Sequence, residues 1–247
     1  MILCIDAGNS RIKWRLTDNG QKIAKGAQRT STILDGEDLE LSDIQSPTEI
    51  RIASVAGDGI AKSLHQQLLK KFSIPIRFAK VSATIGELSC AYEDPHSLGV
   101  DRWLAMAAAY QQYQEPLMVV DAGSAITMDI IGPDGQHIGG YIAPGLTLMH
   151  DALWQNTSDV RVVGSGSQEL WIPGKNTQQA VNRGCFLAAV STIESLAAQF
   201  PVQIVLTGGD GKIIMQALSL NTESRSNLVL DGLLINEIKW GDSKTLQ

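Results

Sequence analysis

The stretch Ile2-Leu3-Cys4-Ile5-Asp6-Ala7-Gly8-Asn9-Ser10 decides how this chain is read. A short apolar run delivers an aspartate and then a glycine, the pattern of a buried strand that ends in a tight turn. Arg11 to Thr17 resumes as a strand, Asp18-Asn19-Gly20 forms a hairpin turn, and Gln21 to Gly26 returns. The unit occurs twice. Asp121-Ala122-Gly123-Ser124 follows Met118-Val119-Val120, and a second hairpin turn falls at Asp134-Gly135. Gly20 and Gly135 lie equally far beyond their aspartates. One Asp-Gly turn between strands is ordinarily only a turn. Two in register, with Thr207-Gly208-Gly209-Asp210 after a later strand, point to a duplicated ligand-binding scaffold.

Working outward, the 247 residues divide into two expected halves, 1–115 and 116–247, one for each copy. Each half is expected to run three strands and then alternate helices and strands. In the first, Ala27 to Thr48 is a polar, acidic connection, Glu49 to Val55 a central strand, Gly59 to Phe72 an amphipathic helix and Ile74 to Val81 a strand. Leu98 to Tyr113 is strongly helical. In the second, Leu117 to Ile142 holds three strands, Leu146 to Gln155 and Asn176 to Phe200 are helices, and Asn156 to Lys175 is a loop with a short strand. Gln203 to Leu206 is a strand, followed by a helix to Leu218, a strand at Leu228-Val229-Leu230 and a last helix to Trp240. Asp242 to Gln247 should fray.

Hydrophobic content of 44%, charged content of 19% and a net charge of −6 describe an ordinary soluble protein and argue against a nucleic-acid footprint. Cys4, Cys90 and Cys185 have no metal or redox spacing and read as reduced core thiols of a cytoplasmic protein. No apolar run approaches a membrane span.

The repeated turns suit a nucleotide. Glycine lets the backbone approach a ligand, and the turn amides with Asn9, Ser10 and Ser124 can hydrogen-bond phosphate oxygens. The strand-end aspartates can hold a cation directly or through water. Neither a Walker loop nor a Gly-x-Gly-x-x-Gly fingerprint is present.

These motifs resemble those of the type III pantothenate kinases, of the actin-like and sugar-kinase superfamily. Asp6-Ala7-Gly8-Asn9-Ser10-Arg11-Ile12-Lys13 is similar to the family's first phosphate motif. Tyr92, Pro95 and Leu98-Gly99-Val100-Asp101-Arg102 resemble its substrate motif. Asp121-Ala122-Gly123-Ser124-Ala125 and Gly139-Gly140-Tyr141-Ile142-Ala143-Pro144-Gly145 resemble its second-half motifs. Thr177 stands where the family has a substrate-binding threonine. Ser10 and Ser124 replace the more usual threonine and keep the hydroxyl. The resemblance implies an α/β, duplicated actin-like (ribonuclease H-like) fold of two βββαβαβα halves with a nucleotide cleft between them. It implies ATP-dependent phosphorylation of pantothenate, the first step towards coenzyme A. It also implies Mg²⁺ near Asp6, a monovalent cation (K⁺ or NH₄⁺) near Asp121, and a homodimer.

On this reading Asp101 is the general base, accepting the proton of the attacking alcohol. Its plainer alternative is a carboxylate that complements the helix dipole. Arg102 suits the pantothenate carboxylate, or else braces the fold through an ion pair. Tyr92, Gly99, Val100 and Thr177 complete the substrate set, although an aromatic residue before a proline loop can serve packing alone. ATP falls to Asp6, Ala7, Gly8, Asn9, Ser10, Arg11, Ile12, Lys13 and Ser124, with Lys13 alternatively a solvated strand residue. His96 reads as surface. The rivals are a kinase for another hydroxyl substrate and a non-catalytic nucleotide-binding regulator.

Overall fold

Apolar runs that must be covered on both faces become central strands, and β1 (Ile2–Ala7) is such a strand, with Leu3, Cys4, Ile5 and Ala7 fully buried. In the computed structural model, which describes residues 1–41, 44, 47–154 and 171–241, β1 pairs antiparallel with β2 (Arg11–Asp18). On its other side it pairs parallel with β4 (Glu49–Ser54). Outside β2 lies β3 (Gln21–Arg29), whose exposed edge carries Lys22, Lys25 and Arg29, charges that discourage pairing with another chain. Trp14 lies opposite Gly26, and a Cβ there would come within 2.5 Å of the indole, so the glycine makes room for the ring. After α1 (Thr30–Leu34) and β4, α2 (Asp58–Lys71) buries Ile60, Leu64 and Leu68 against the sheet, and β5 (Ile76–Lys80) extends it in parallel. A two-stranded hairpin, β6 (Thr84–Ile85) and β7 (Leu88–Ser89), and a 3-10 turn at Pro95–Ser97 lead into α3 (Val100–Tyr113).

The chain divides into two compact units: Met1–Gln111 with the chain from Leu228 onward, and Gln112–Asn227. The second unit repeats the order of the first. β8 (Leu117–Ala122) lies between β9 (Ala125–Ile131) and β11 (Gln203–Thr207), with β10 (His137–Pro144) and β12 (Thr222–Ser224) at the edges. Its sheet order, β10-β9-β8-β11-β12, matches β3-β2-β1-β4-β5 element for element. α4 (Leu146–Trp154) and α5 (Thr177–Gln199) follow the three-strand meander, and α6 (Gly211–Ala217) follows β11. Phe186, Val190 and Ile193 of α5 pack on Met118, Val120 and Leu206 of the sheet. The duplication expected from the repeated aspartate loops is therefore present in topology as well as in sequence.

Three expectations change. The equal spacing of Gly20 and Gly135 is a sum of opposite differences, in which β9 (7 residues) is also shorter than β2 (8 residues). The first turn closes Ala7 on Ile12 but Ala122 on Ile126, one residue shorter in the second unit. The hairpin turn then closes Asp18 on Gln21 but Ile131 on His137, which is longer there. Second, Leu228-Val229-Leu230 is not a strand but opens α7 (Leu228–Gly232), and the stretch expected as the last helix ends in a strand, β13 (Lys239–Gly241). Third, this segment does not stay with the 116–247 half. β13 pairs antiparallel with β5, Arg15 Nη1 holds Asp231 at 2.7 Å, and Arg51 donates to the Leu233 carbonyl at 3.0 Å. Gly232 sits so close to the Leu104 backbone that no side chain fits. The expected loop up to residue 170, and the chain end from 242, lie outside the described residues.

Candidate active site

The first corner is built where β1 turns into β2. Asp6 stands one residue before the strand end, half-buried, and is the cross-strand partner of Lys13, so both side chains project from the same face of the sheet. The Gly8 amide donates to the Arg11 carbonyl at 3.0 Å and closes the turn. Ala7 and Ile12 are fully buried, so only their main chain can meet a ligand. Asn9, Ser10 and Arg11 are exposed. Arg11 also lies opposite Arg29 in the ladder, an arrangement of like charges that favours an anion nearby.

The second corner has the same wiring. The Gly123 amide donates to the Ala125 carbonyl at 2.9 Å. In the first unit the Ala7 carbonyl accepts from Val55, just past β4; in the second the Ala122 carbonyl accepts from Asp210, just past β11, each at 3.0 Å. The Ser10 carbonyl accepts from Thr30 at 3.1 Å and the Ser124 carbonyl from Gly145 at 3.0 Å. Gly208, at φ +90°, passes so close to Asp121 that a Cβ there would lie 2.5 Å from its Oδ1. The Asp121 carboxylate is thus held close to the Gly208 backbone, and a carboxylate oxygen is a donor that suits a hard cation. Burial raises the pKa of Asp210, and His150 opposes that shift; burial lowers that of His150, with Asp151 opposing.

The Gly-x-Asp-Arg segment forms the start of α3. The Asp101 carboxylate folds back to accept from the Arg102 amide at 2.8 Å, and Oδ1 would lie 2.6 Å from any Cβ at position 99. Gly99 is therefore what lets the aspartate adopt this pose. Arg102 is 7% exposed, donates to the Tyr92 hydroxyl at 3.1 Å and lies 5.8 Å from the centre of its ring. The structure so brings Tyr92, Gly99, Asp101 and Arg102 together within the first unit, while the Val100 side chain is buried. His96 is exposed, and its amide is capped by Asp94.

Thr177 opens α5, behind Asn176, whose side chain caps the Gln179 amide at 2.9 Å. It lines an apolar groove of about 660 Å³ between α4 and α5, with Leu148, Leu153, Val181 and Ala188. Among the described residues no group of three or more His, Cys, Asp or Glu could hold a metal by itself. Mg²⁺ bound through one carboxylate, waters and substrate phosphates needs no such group. The sequence reading missed Thr30 and the Tyr113–Glu223–Arg225 network, in which the Tyr113 hydroxyl bonds Glu223 at 2.5 Å and Arg225 at 2.9 Å. Neither lies in a motif; only the fold brings them together.

Two sheets of one order, each with an aspartate–glycine corner at the same place, define the actin-like class that includes many sugar kinases. Among solved structures, a protein described as a 2-dehydro-3-deoxygalactonokinase from Sinorhizobium meliloti is similar with a TM-score of 0.58 at 16% identity, covering 94% of each chain. A protein described as a Baf family transcriptional activator from Campylobacter jejuni is similar with a TM-score of 0.61 at 22% identity, again over 94% of each. At these identities the likeness speaks for the fold. The family follows from sequence: the model of type III pantothenate kinase matches residues 2–199, and the chain belongs to that family. A type III pantothenate kinase of Acinetobacter baumannii is 39% identical over 237 residues, 94% of this chain and 95% of that one. One of Teredinibacter turnerae is 37% identical over 244 residues, 95% of this chain and 98% of that one.

Proposed function

We propose that this protein transfers the γ-phosphoryl group of ATP to the primary hydroxyl of pantothenate, giving 4'-phosphopantothenate. The single observation that carries the reading is the Gly99–Arg102 segment, with its carboxylate and its buried arginine on one helix start, in a chain of this family. In the step, the hydroxyl oxygen of pantothenate forms the new bond to phosphorus, the bond to the β–γ bridging oxygen breaks, and ADP leaves. Asp101 takes the hydroxyl proton. Arg102, oriented by Tyr92, pairs with the pantothenate carboxylate. Asn9, Ser10 and the amides of the first turn bind phosphate oxygens, with Lys13 and Arg11 supplying positive charge. Gly99 makes room for Asp101, Val100 anchors the helix start, and Ser124 offers its hydroxyl at the second corner.

Asp6 fits a Mg²⁺ shared with the phosphates, and Asp121 fits a K⁺ or NH₄⁺. Such cations neutralise charge that develops on the transferring group. Thr177 is assigned to the substrate, beside an apolar face where Leu148 and Leu153 are half exposed. A second copy covering that face is the homodimer we infer. No helix among the described residues is long and apolar enough to cross a membrane, and we assign the protein to the cytoplasm.

A coupled assay of ADP release with ATP, Mg²⁺ and pantothenate tests the activity. Turnover should need pantothenate and fall when Na⁺ replaces K⁺; a sugar that replaced pantothenate would redirect the substrate assignment. Equal rates in both salts would remove the selective cation from Asp121.

Arg102→Met keeps the length of the buried stem and removes the charge. It should raise the KM for pantothenate by about ten- to a hundredfold, the range of a lost charge-assisted hydrogen bond, and leave the KM for ATP unchanged. A pantothenate KM equal to that of the wild type would reduce Arg102 to a brace for Tyr92.

A further inference from the structure

The first phosphate turn is held from behind by a residue outside every motif. Thr30, the first residue of α1, is 3% exposed. Its hydroxyl donates to the Gly8 carbonyl at 2.7 Å, and its amide donates to the Ser10 carbonyl at 3.1 Å. Two of the turn's carbonyls are thereby tied to one residue, and peptide planes are rigid. Fixing the Gly8 and Ser10 carbonyls therefore also fixes the directions of the amides of Asn9 and Arg11, which share those planes. In the second unit the equivalent backbone bond comes from Gly145, at the same place after the third strand, with no side chain to add a second one. The first corner differs in having one residue more in its turn. A longer turn has more conformations to lose, and the Thr30 hydroxyl offsets that.

We infer that Thr30 is a positioning residue of the kinase reaction: it sets the Gly8–Arg11 turn in the conformation that receives the phosphates of ATP. The inference rests on the kinase reading above and concerns the nucleotide side only, because Thr30 bonds the turn and not the Tyr92–Arg102 group.

The test is the pair Thr30→Val and Thr30→Ser. Valine keeps the branched shape and removes the donor, leaving the Gly8 carbonyl without its partner. Thr30→Val should raise the KM for ATP about three- to tenfold, while the KM for pantothenate stays at its wild-type value; Thr30→Ser should restore the ATP value. A purely structural role would lower stability and shift both constants together or neither. An unchanged ratio of the two KM values, or a serine variant as impaired as the valine one, overturns the inference. Should Thr30→Val fail to fold, Thr30→Cys fills similar space with a weak donor and reads the same ratio. If the wild-type protein leaves pantothenate unphosphorylated, the kinase reading fails. The Kd of ATP for the same variants then decides the role of Thr30 by the same three- to tenfold criterion.

Discussion

Asp101→Asn should cut kcat by about a hundred- to ten-thousandfold, the usual contribution of a positioned general base, with the fold and the KM for ATP intact. That loss corresponds to about 3–5 kcal/mol of transition-state stabilisation. The substitution is a clean one because the amide oxygen of asparagine can still accept from the Arg102 amide, the 2.8 Å bond that opens α3. The space made by Gly99 also stays the same. What changes is the ability to take a proton as the alcohol attacks. If Asp101 merely complemented the helix dipole, the variant would lose a few tenths of a kcal/mol of stability and keep its turnover. Steady-state kinetics beside a thermal melt separates the two outcomes. A kcat within tenfold of wild type would leave the proton to another acceptor.

The grouping of this segment's residues was legible in the sequence because it is local. Gly99, Asp101 and Arg102 lie within one turn of a helix, and Tyr92 follows from the loop before it. The duplicated scaffold was legible for a related reason: each copy announces itself by an apolar run, an aspartate and a glycine, and strand burial enforces that pattern. The C-terminal segment was not. Leu228-Val229-Leu230 is too short an apolar run for its periodicity to distinguish helix from strand. Its place is set by partners far off in the chain, among them Arg15, Arg51 and the β5 backbone. β12, with the sequence Thr222-Glu223-Ser224, carries no apolar signal at all, being an edge strand that gains its pairing from β11. The equal spacing of the two hairpin glycines hid the differences between the two copies, since a shorter first turn, a shorter strand and a longer hairpin turn leave the same count. Thr30 escaped notice because a hydrogen bond across some twenty residues leaves no mark on composition or period.

Gly208 is the position where the second corner should be most easily broken. It takes φ +90°, a region that costs an L-residue about 1–3 kcal/mol. A methyl group there would in addition press on the Ala122 carbonyl and lie 2.5 Å from Asp121 Oδ1. The Ala122 carbonyl cannot give way cheaply, whereas the Asp121 carboxylate, at the end of its side chain, yields by turning out of the corner. The Ala122 carbonyl accepts from the Asp210 amide, and β8, which carries Asp121, is paired on both sides. Gly208→Ala should therefore lower the Tm by several degrees and, in the protein that remains folded, abolish most of the K⁺ response of turnover proposed above. Gly209→Ala supplies the comparison, since no atom lies within 4 Å of a Cβ there and its φ is ordinary. Its Tm should match that of the wild type or exceed it slightly. Both variants alter the glycine count of the same loop by one, so a shared loss of flexibility would affect them alike. If the two melt together and keep the same K⁺ response, the close approach of Gly208 to Asp121 has no role in forming the proposed cation corner, and Asp121 loses its structural argument as a ligand. If only Gly208→Ala fails, the backbone behind β11 is what holds the Asp121 carboxylate in place.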